Sequence, residues 1–136
     1  AFESYALRIE WRTVPEGPNE GRSIEPAEDE RVERALGMLP GQLAQARAAR
    51  RLPIVVERDG EIAAATFDPT FPGASVFRAS PELAVPLLRA MRAHALPEHD
   101  FTGVKLEDQP ETARTLVELG ARVRFRMFHM AGALGA

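Results

Sequence analysis

Apolar and polar positions alternate through residues 5–14, YALRIEWRTV. Leu7, Ile9 and Trp11 fall on one parity, and Arg8, Glu10 and Arg12 on the other. Such alternation predicts a half-buried strand. Residues 15–21, PEGPNEG, are dense in chain breakers and predict a loop. Helical spacing follows in AEDERVERALGML, where Val32, Ala35, Leu36 and Leu39 share a face and acids crowd the first turn. Pro40-Gly41 interrupts it, and the alanine-rich QLAQARAARR predicts a second helix closing on arginines. Two apolar runs, 54–57 and 61–67, flank Asp59-Gly60, a pair that tolerates the positive φ angles of a tight hairpin. After the turn DPTFPG, residues 74–80 (ASVFRAS) predict a third strand of this group, and PELAVPLLRAMRAHAL the helix after it. The strand GVKLE and the helix PETARTLVEL come next, with Gly120 as the stop. A last strand lies in ARVRFRMFHMAGAL, with Val123, Phe125, Met127 and His129 on one parity.

This order predicts an α/β (α+β) chain with a central mixed, twisted sheet of about six strands and helices on both faces. At 136 residues, 45% hydrophobic and 27% charged, the chain suits one domain, residues 1–136, with its own core. The absence of cysteine excludes disulfides, thiolate metal sites and a cysteine nucleophile, and it suits a cytoplasmic setting. A net charge of −3 gives no global attraction to nucleic acid. No apolar run reaches the roughly 18 residues of a membrane span, and the start shows no signal-peptide pattern. The expected partners therefore include neither nucleic acid nor membrane.

Three stretches in sequence order carry a family resemblance: the hairpin VVERDGEIAAATF, then ASVFRAS with PELAVPLLRAMRAHA, then GVKLEDQPETARTLVELGARVRFRMFHM. Together they resemble the GNAT superfamily of acetyl-coenzyme A-dependent N-acetyltransferases. The resemblance spans about residues 24–131 and fits residues 1–21 least. Each stretch alone is a loose pattern, and their order over the chain carries the likeness. It implies a single GNAT-like domain that takes acetyl-coenzyme A or another acyl-coenzyme A, with direct attack of a small-molecule or peptide amine on the thioester. Backbone N–H groups of Val76, Phe77 and Arg78 would polarise the thioester carbonyl. Ser80, Glu82, Leu83 and Ala84 would lie against the pyrophosphate, and Gln109 and Leu116 stand where the family commonly has an asparagine and a proton-donating tyrosine. Thr112 occupies the usual alanine position, and Ala121 that of the phenylalanine after the glycine.

The chain departs from the family where the chemistry would lie. The segment ASPELAVP has no glycine, arginine or lysine in place of Q/R-x-x-G-x-G/A; Glu82 adds negative charge to the first turn, and Pro86 removes a donor. Leu116 cannot move a proton. Ser80 to Ala84 read either as a phosphate cradle or as an ordinary start of a helix, with Ser80 as N-cap and Pro81 at the first position. Gln109 reads either as a polar group near a thioester or as a turn residue whose amide caps the following helix. Glu57 and Asp68 are the carboxylates near sheet positions, with solvation as their ordinary role and a general base as the other. His94, His99 and His129 share no metal-ligand spacing, and no metal is expected. Arg122, Arg124 and Arg126 predict one charged strand face, solvated or serving as a basic rim for a 3′-phosphate or an acidic partner. No catalytic residue is assigned. Two functions follow: an acyl-coenzyme A-dependent N-acyltransferase, or a catalytically inactive GNAT-like module with a binding or oligomerisation role. An exposed edge strand and an alanine-rich helix surface suit a homodimer or pairing with a second GNAT-like domain.

Overall fold

The structure is a computed structural model that describes residues 2–71, 73 and 75–129. In chain order its strands are β1 (Phe2–Glu10), β2 (Gly21–Ser23), β3 (Leu52–Arg58), β4 (Glu61–Phe67), β5 (Ser75–Arg78), β6 (Phe101–Glu107) and β7 (Arg122–His129). The helices are α1 (Asp29–Leu36), α2 (Gln42–Ala48), α3 (Pro81–Arg92) and α4 (Pro110–Leu119). All seven strands join one sheet in the order β2-β3-β4-β5-β6-β1-β7. Only β5 and β6 run parallel; every other neighbouring pair is antiparallel.

The apolar runs around Asp59-Gly60 make the sheet's centre because both of their faces are covered. Ile54, Val56, Ala63, Ala65 and Phe67 join the main core with Leu83, Leu87 and Met91 of α3 and Leu116 of α4. Val55 and Ala64 point the other way, into a smaller core with Val32 of α1 and Leu43 of α2. A strand buried on both sides reads as a continuous apolar run. The hairpin is the tight one expected, with φ of 53° at Asp59 and 82° at Gly60. Helices thus flank both faces of a mixed sheet.

Seven strands replace the expected six because Gly21–Ser23, at the end of the predicted loop, pairs with β3. A Cβ at Gly21 would fall 2.3 Å from the Ala90 Cβ, so only glycine lets this short edge strand lie against α3. The first strand stops at Glu10 rather than at residue 14. Trp11–Thr13 form a 3₁₀ turn, with Trp11 N–H donating to Asp100 O at 2.9 Å. The alternation runs on past the strand because Trp11 and Val14 still bury in the main core. Ala74, within the predicted third strand, and Met130, within the closing segment, lie outside the described residues.

Leu39, expected on the inner face of the first helix, is 73% exposed, and Met38 is buried in its place. Gly37 ends α1 at φ 66° and redirects the chain there. Glu33, on α1, is buried, and its carboxylate accepts from Gly41 N–H at 3.1 Å and Leu43 N–H at 2.9 Å, capping α2 from a distance. Glu33→Ala leaves these donors without a partner, and a loss of about 2 kcal/mol is expected in urea unfolding.

At the β2–β3 edge, Arg22 and Arg31 each bridge Glu28 and Glu57. The Arg22 guanidinium, ahead of the backbone N–H of Glu25, holds the Glu28 carboxyl down to about 2 from its ordinary 4.5. A carboxylate depressed in the fold contributes stability above its unfolded pKa and loses it as pH falls through the folded value. The urea midpoint is therefore expected to fall between about pH 4.5 and about pH 2, and Arg22→Gln to flatten that slope.

Candidate functional site

The parallel pair at the sheet's middle forms the candidate site. Its ladder consists of Ser75 opposite Val104 and Val76 opposite Lys105. Beyond Val76 the two strands part: β5 stays with β4 through Arg78 opposite Ala64, while β6 stays with β1 through Glu107 opposite Ser4. A mixed sheet, flanking helices, a parallel pair that opens and a strand–helix–strand close agree with the sequence resemblance. This is the mixed-sheet architecture that the resemblance implies.

The opening is filled by the chain's own side chain. After β6, Asp108 donates its N–H to Glu3 O at 2.8 Å and turns the backbone at φ 54°. Gln109 then enters the gap. Its Nε2 donates to Phe77 O at 2.8 Å, and its Oε1 accepts from Ala79 N–H at 3.0 Å. One carboxamide thus bridges two main-chain groups, two residues apart, as a neighbouring strand would. Thr112 Oγ1 donates to Ala79 O at 2.6 Å and pins the first turns of α4 to the same segment. Gln109 makes no side-chain bond to its own helix, so its reading as a helix cap is corrected.

The other expected residues scatter around this clamp. Phe77 and Leu116 are fully buried in the main core, with Leu83 and Ala84 beside them. Leu116, at the family's tyrosine position, faces the core and not the gap. Val76 and Arg78 are half-buried on β5. Ser80 precedes α3 without capping it; its hydroxyl lies 3.1 Å from Glu61 Oε1, so its reading as a side-chain N-cap is also corrected. Glu82 is exposed in the first turn. A diphosphate at this helix start would meet Glu82, the nearby Glu61, two prolines and no cation from residues 79–86, which works against binding.

The pyrophosphate end and the thioester end therefore both fit coenzyme A poorly. At the first, acids stand where donors are needed; at the second, Ala79 N–H and Phe77 O are already paired. A hollow of about 770 Å³ lies away from the pair, between the start of α1 and Gly41, and one of about 280 Å³ is lined by Val104, Lys105 and Glu107 of β6 together with Gly73. Glu57 pairs with Arg31 and Arg22, and hydrogen bonding from Arg31 foremost lowers its pKa. Asp68 accepts from the hydroxyl and the N–H of Thr70, and the hydroxyl foremost lowers its pKa. Both carboxylates hold structure and are ionised, and neither stands by the gap. Among the described residues no group of three or more His, Asp or Glu could hold a metal, and no helix is long and apolar enough to cross a membrane. His99 Nδ1 lies 3.1 Å from Pro69 O.

The bond from Thr112 to Ala79 O escaped the sequence reading, which placed Thr112 only at the family's alanine position. A threonine on the apolar side of a helix, three residues after Gln109, is the signal that could have found it, since a buried hydroxyl needs a partner.

No protein-family profile matches the chain, and no curated protein matches it in sequence. Among solved structures it is similar to a protein from Novosphingobium aromaticivorans ascribed to the GNAT family of acetyltransferases, at 16% identity and a TM-score of 0.48. That likeness covers 93% of this chain and 62% of the other, so the chain spans less than two thirds of its neighbour's length.

Proposed function

We propose that the chain is a GNAT-like module with a binding or assembly role that does not transfer acyl groups. The Gln109 carboxamide carries this reading: it satisfies the main-chain groups that a thioester arm lying between β5 and β6 would need. The glycine-free start of α3 beside Glu61 and the buried Leu116 support it, since the first offers no cation to a phosphate and the second has no proton to donate. A second reading, transfer from an acyl-coenzyme A to an amine, draws on one observation, that β5 and β6 part beyond Val76.

Thermal unfolding with and without millimolar acetyl-coenzyme A separates the two. A ligand at 100 times its dissociation constant stabilises by about 2.7 kcal/mol, several degrees for a domain of this size. No shift is expected. A reproducible rise of several degrees would overturn the non-catalytic reading.

A further inference from the structure

We propose that the outer face of the sheet over β6, β1 and β7 holds a binding site for a small amphiphilic monocarboxylate. Its head group would lie on Lys105 and its apolar body over Ala6, against Phe125 and Met127. The site is set off from the gap that Gln109 fills, so it does not depend on the coenzyme A question.

The smaller core covers only part of that outer face. Its described members come from β3, β4, α1, α2 and the loops beside them, and none comes from β5, β6, β1 or β7. Alternation along β6 and β1 sends Val104, Leu106, Leu7 and Ile9 into the main core and turns Lys105 and Ala6 the other way. Register then sets Val76, Lys105, Ala6 and Phe125 in one row across four strands. From Lys105 to Phe125 the row spans two strand spacings, about 10 Å, enough for a medium-chain acyl group lying flat.

This row has a floor and two walls. Ala6 is the floor, since a methyl group leaves room above it. Phe125 and Met127, each about half exposed, wall one side. On the other side the main chain at Gly73 lies over β6: a Cβ at Gly103 would come 1.9 Å from Gly73 O, so only glycine admits that approach. Between them is the largely apolar hollow of about 280 Å³. Apolar side chains gathered round a concavity, with few polar groups at its rim, suit a small organic ligand.

Charge selects the head group. Lys105 is the chain's single lysine and is exposed at the rim. One row away Arg8 and Arg122 are ladder partners, and like charges set opposite each other are destabilising until an anion lies near. Arg8 rests over the Phe101 ring at 3.7 Å, whereas the arginines at the β2–β3 edge are bridged to carboxylates. Glu107, the acid that lines the hollow, stands one row beyond Lys105 on the side away from these arginines. One carboxylate at Lys105 is therefore attracted. A second would fall among Phe125 and Met127 or beside Glu107, unpaired in either place. The same surplus of cations sets two copies of this face against each other, which disfavours a second copy as the occupant.

The single lysine also supplies the test. Reductive methylation of the full chain with isotopically labelled formaldehyde gives one side-chain dimethylamino NMR signal, and the nitrogen keeps its charge. Octanoate is the probe, compared with octanol, octylamine and suberate, which share its chain length. Octanoate is expected to shift the Lys105 signal saturably. Octanol and suberate should bind about tenfold more weakly or worse, the first for want of a charge-assisted bond, and octylamine should not bind. Calorimetry on the unmethylated protein should show a similar loss for octanoate in Lys105→Met. Ala6→Phe fills the floor with a residue that strands favour and should abolish the shift; Met127→Glu at the exposed wall does the same should Ala6→Phe fail to fold. No shift, a shift that does not saturate, equal binding of octanoate and any of the other three, or a saturable shift that survives the floor and wall variants overturns the proposal. None of these readouts involves acetyl-coenzyme A, so this site and the non-catalytic reading fail separately.

Discussion

Gln109→Ala is expected to lower the unfolding free energy by about 3 kcal/mol, the sum of two main-chain groups, Phe77 O and Ala79 N–H, left without partners. Each such group costs about 1–3 kcal/mol when buried, and partial access of water to this rim keeps the total from the upper end. Urea unfolding with an unchanged m-value, or a fall of about 10 °C in Tm, is the measurement. Gln109→Glu refines it. The carboxylate keeps an acceptor for Ala79 N–H but sets negative charge against Phe77 O. A protonated carboxyl donates there instead, so the folded state raises that group's pKa. Its stabilising contribution is present at low pH and lost as pH rises through the raised value. The deficit of Gln109→Glu should therefore shrink on acidification, whereas that of Gln109→Ala should not. A loss below about 1 kcal/mol in both variants would mean that the clamp is dispensable and the gap is readily opened.

Much of this fold was legible because its signals are local. The Asp59-Gly60 hairpin, the helix stop at Gly120 and the doubly buried runs of β3 and β4 each follow from a few adjacent residues, whereas the first helix stops at Gly37 and not at the Pro40-Gly41 break expected for it. Pairing partners are not local. Nothing in YALRIEWRTV says that it inserts between the last two strands, because the choice depends on a slot made by residues about a hundred positions away. The closing strand shows the same limit. Alternation places Val123, Phe125 and Met127 on one face, yet consecutive residues Ala6 and Leu7 pair with Phe125 and Val123, so a bulge at Arg124 breaks the alternation. The arginines divide accordingly: Arg126 lies 5.8 Å from the Tyr5 ring and pairs with Glu3, in place of one uniform charged face. At the site, the missing glycines and tyrosine were plain in the sequence. The clamp was not, since a glutamine that caps a helix and one that bridges to a neighbouring strand are the same letter.

Leu116→Tyr is the second large effect, and it tests whether the family's proton-donor position still exists in this chain. The position follows from counting back from Gly120, yet Leu116 has no exposure and sits in the main core under α4 with Ala113 and Ala121. A tyrosine there must fit an aromatic ring into filled space, about 1–3 kcal/mol of overpacking, and bury a hydroxyl without a partner, a further 1–3 kcal/mol. A loss of about 3 kcal/mol is expected in urea unfolding, against less than about 1.5 kcal/mol for the volume-conserving Leu116→Met. The contrast isolates the geometry: if α4 could roll to aim this position at the gap, the tyrosine hydroxyl would reach water or Gln109 and most of the loss would vanish. A near-neutral Leu116→Tyr together with a near-neutral Gln109→Ala would describe an α4 free to move away from β5, and acyl transfer would then become the better reading. A large loss in both describes a helix locked to β5 by Gln109 and Thr112 and to the core by Leu116, with no room between the strands for a thioester arm.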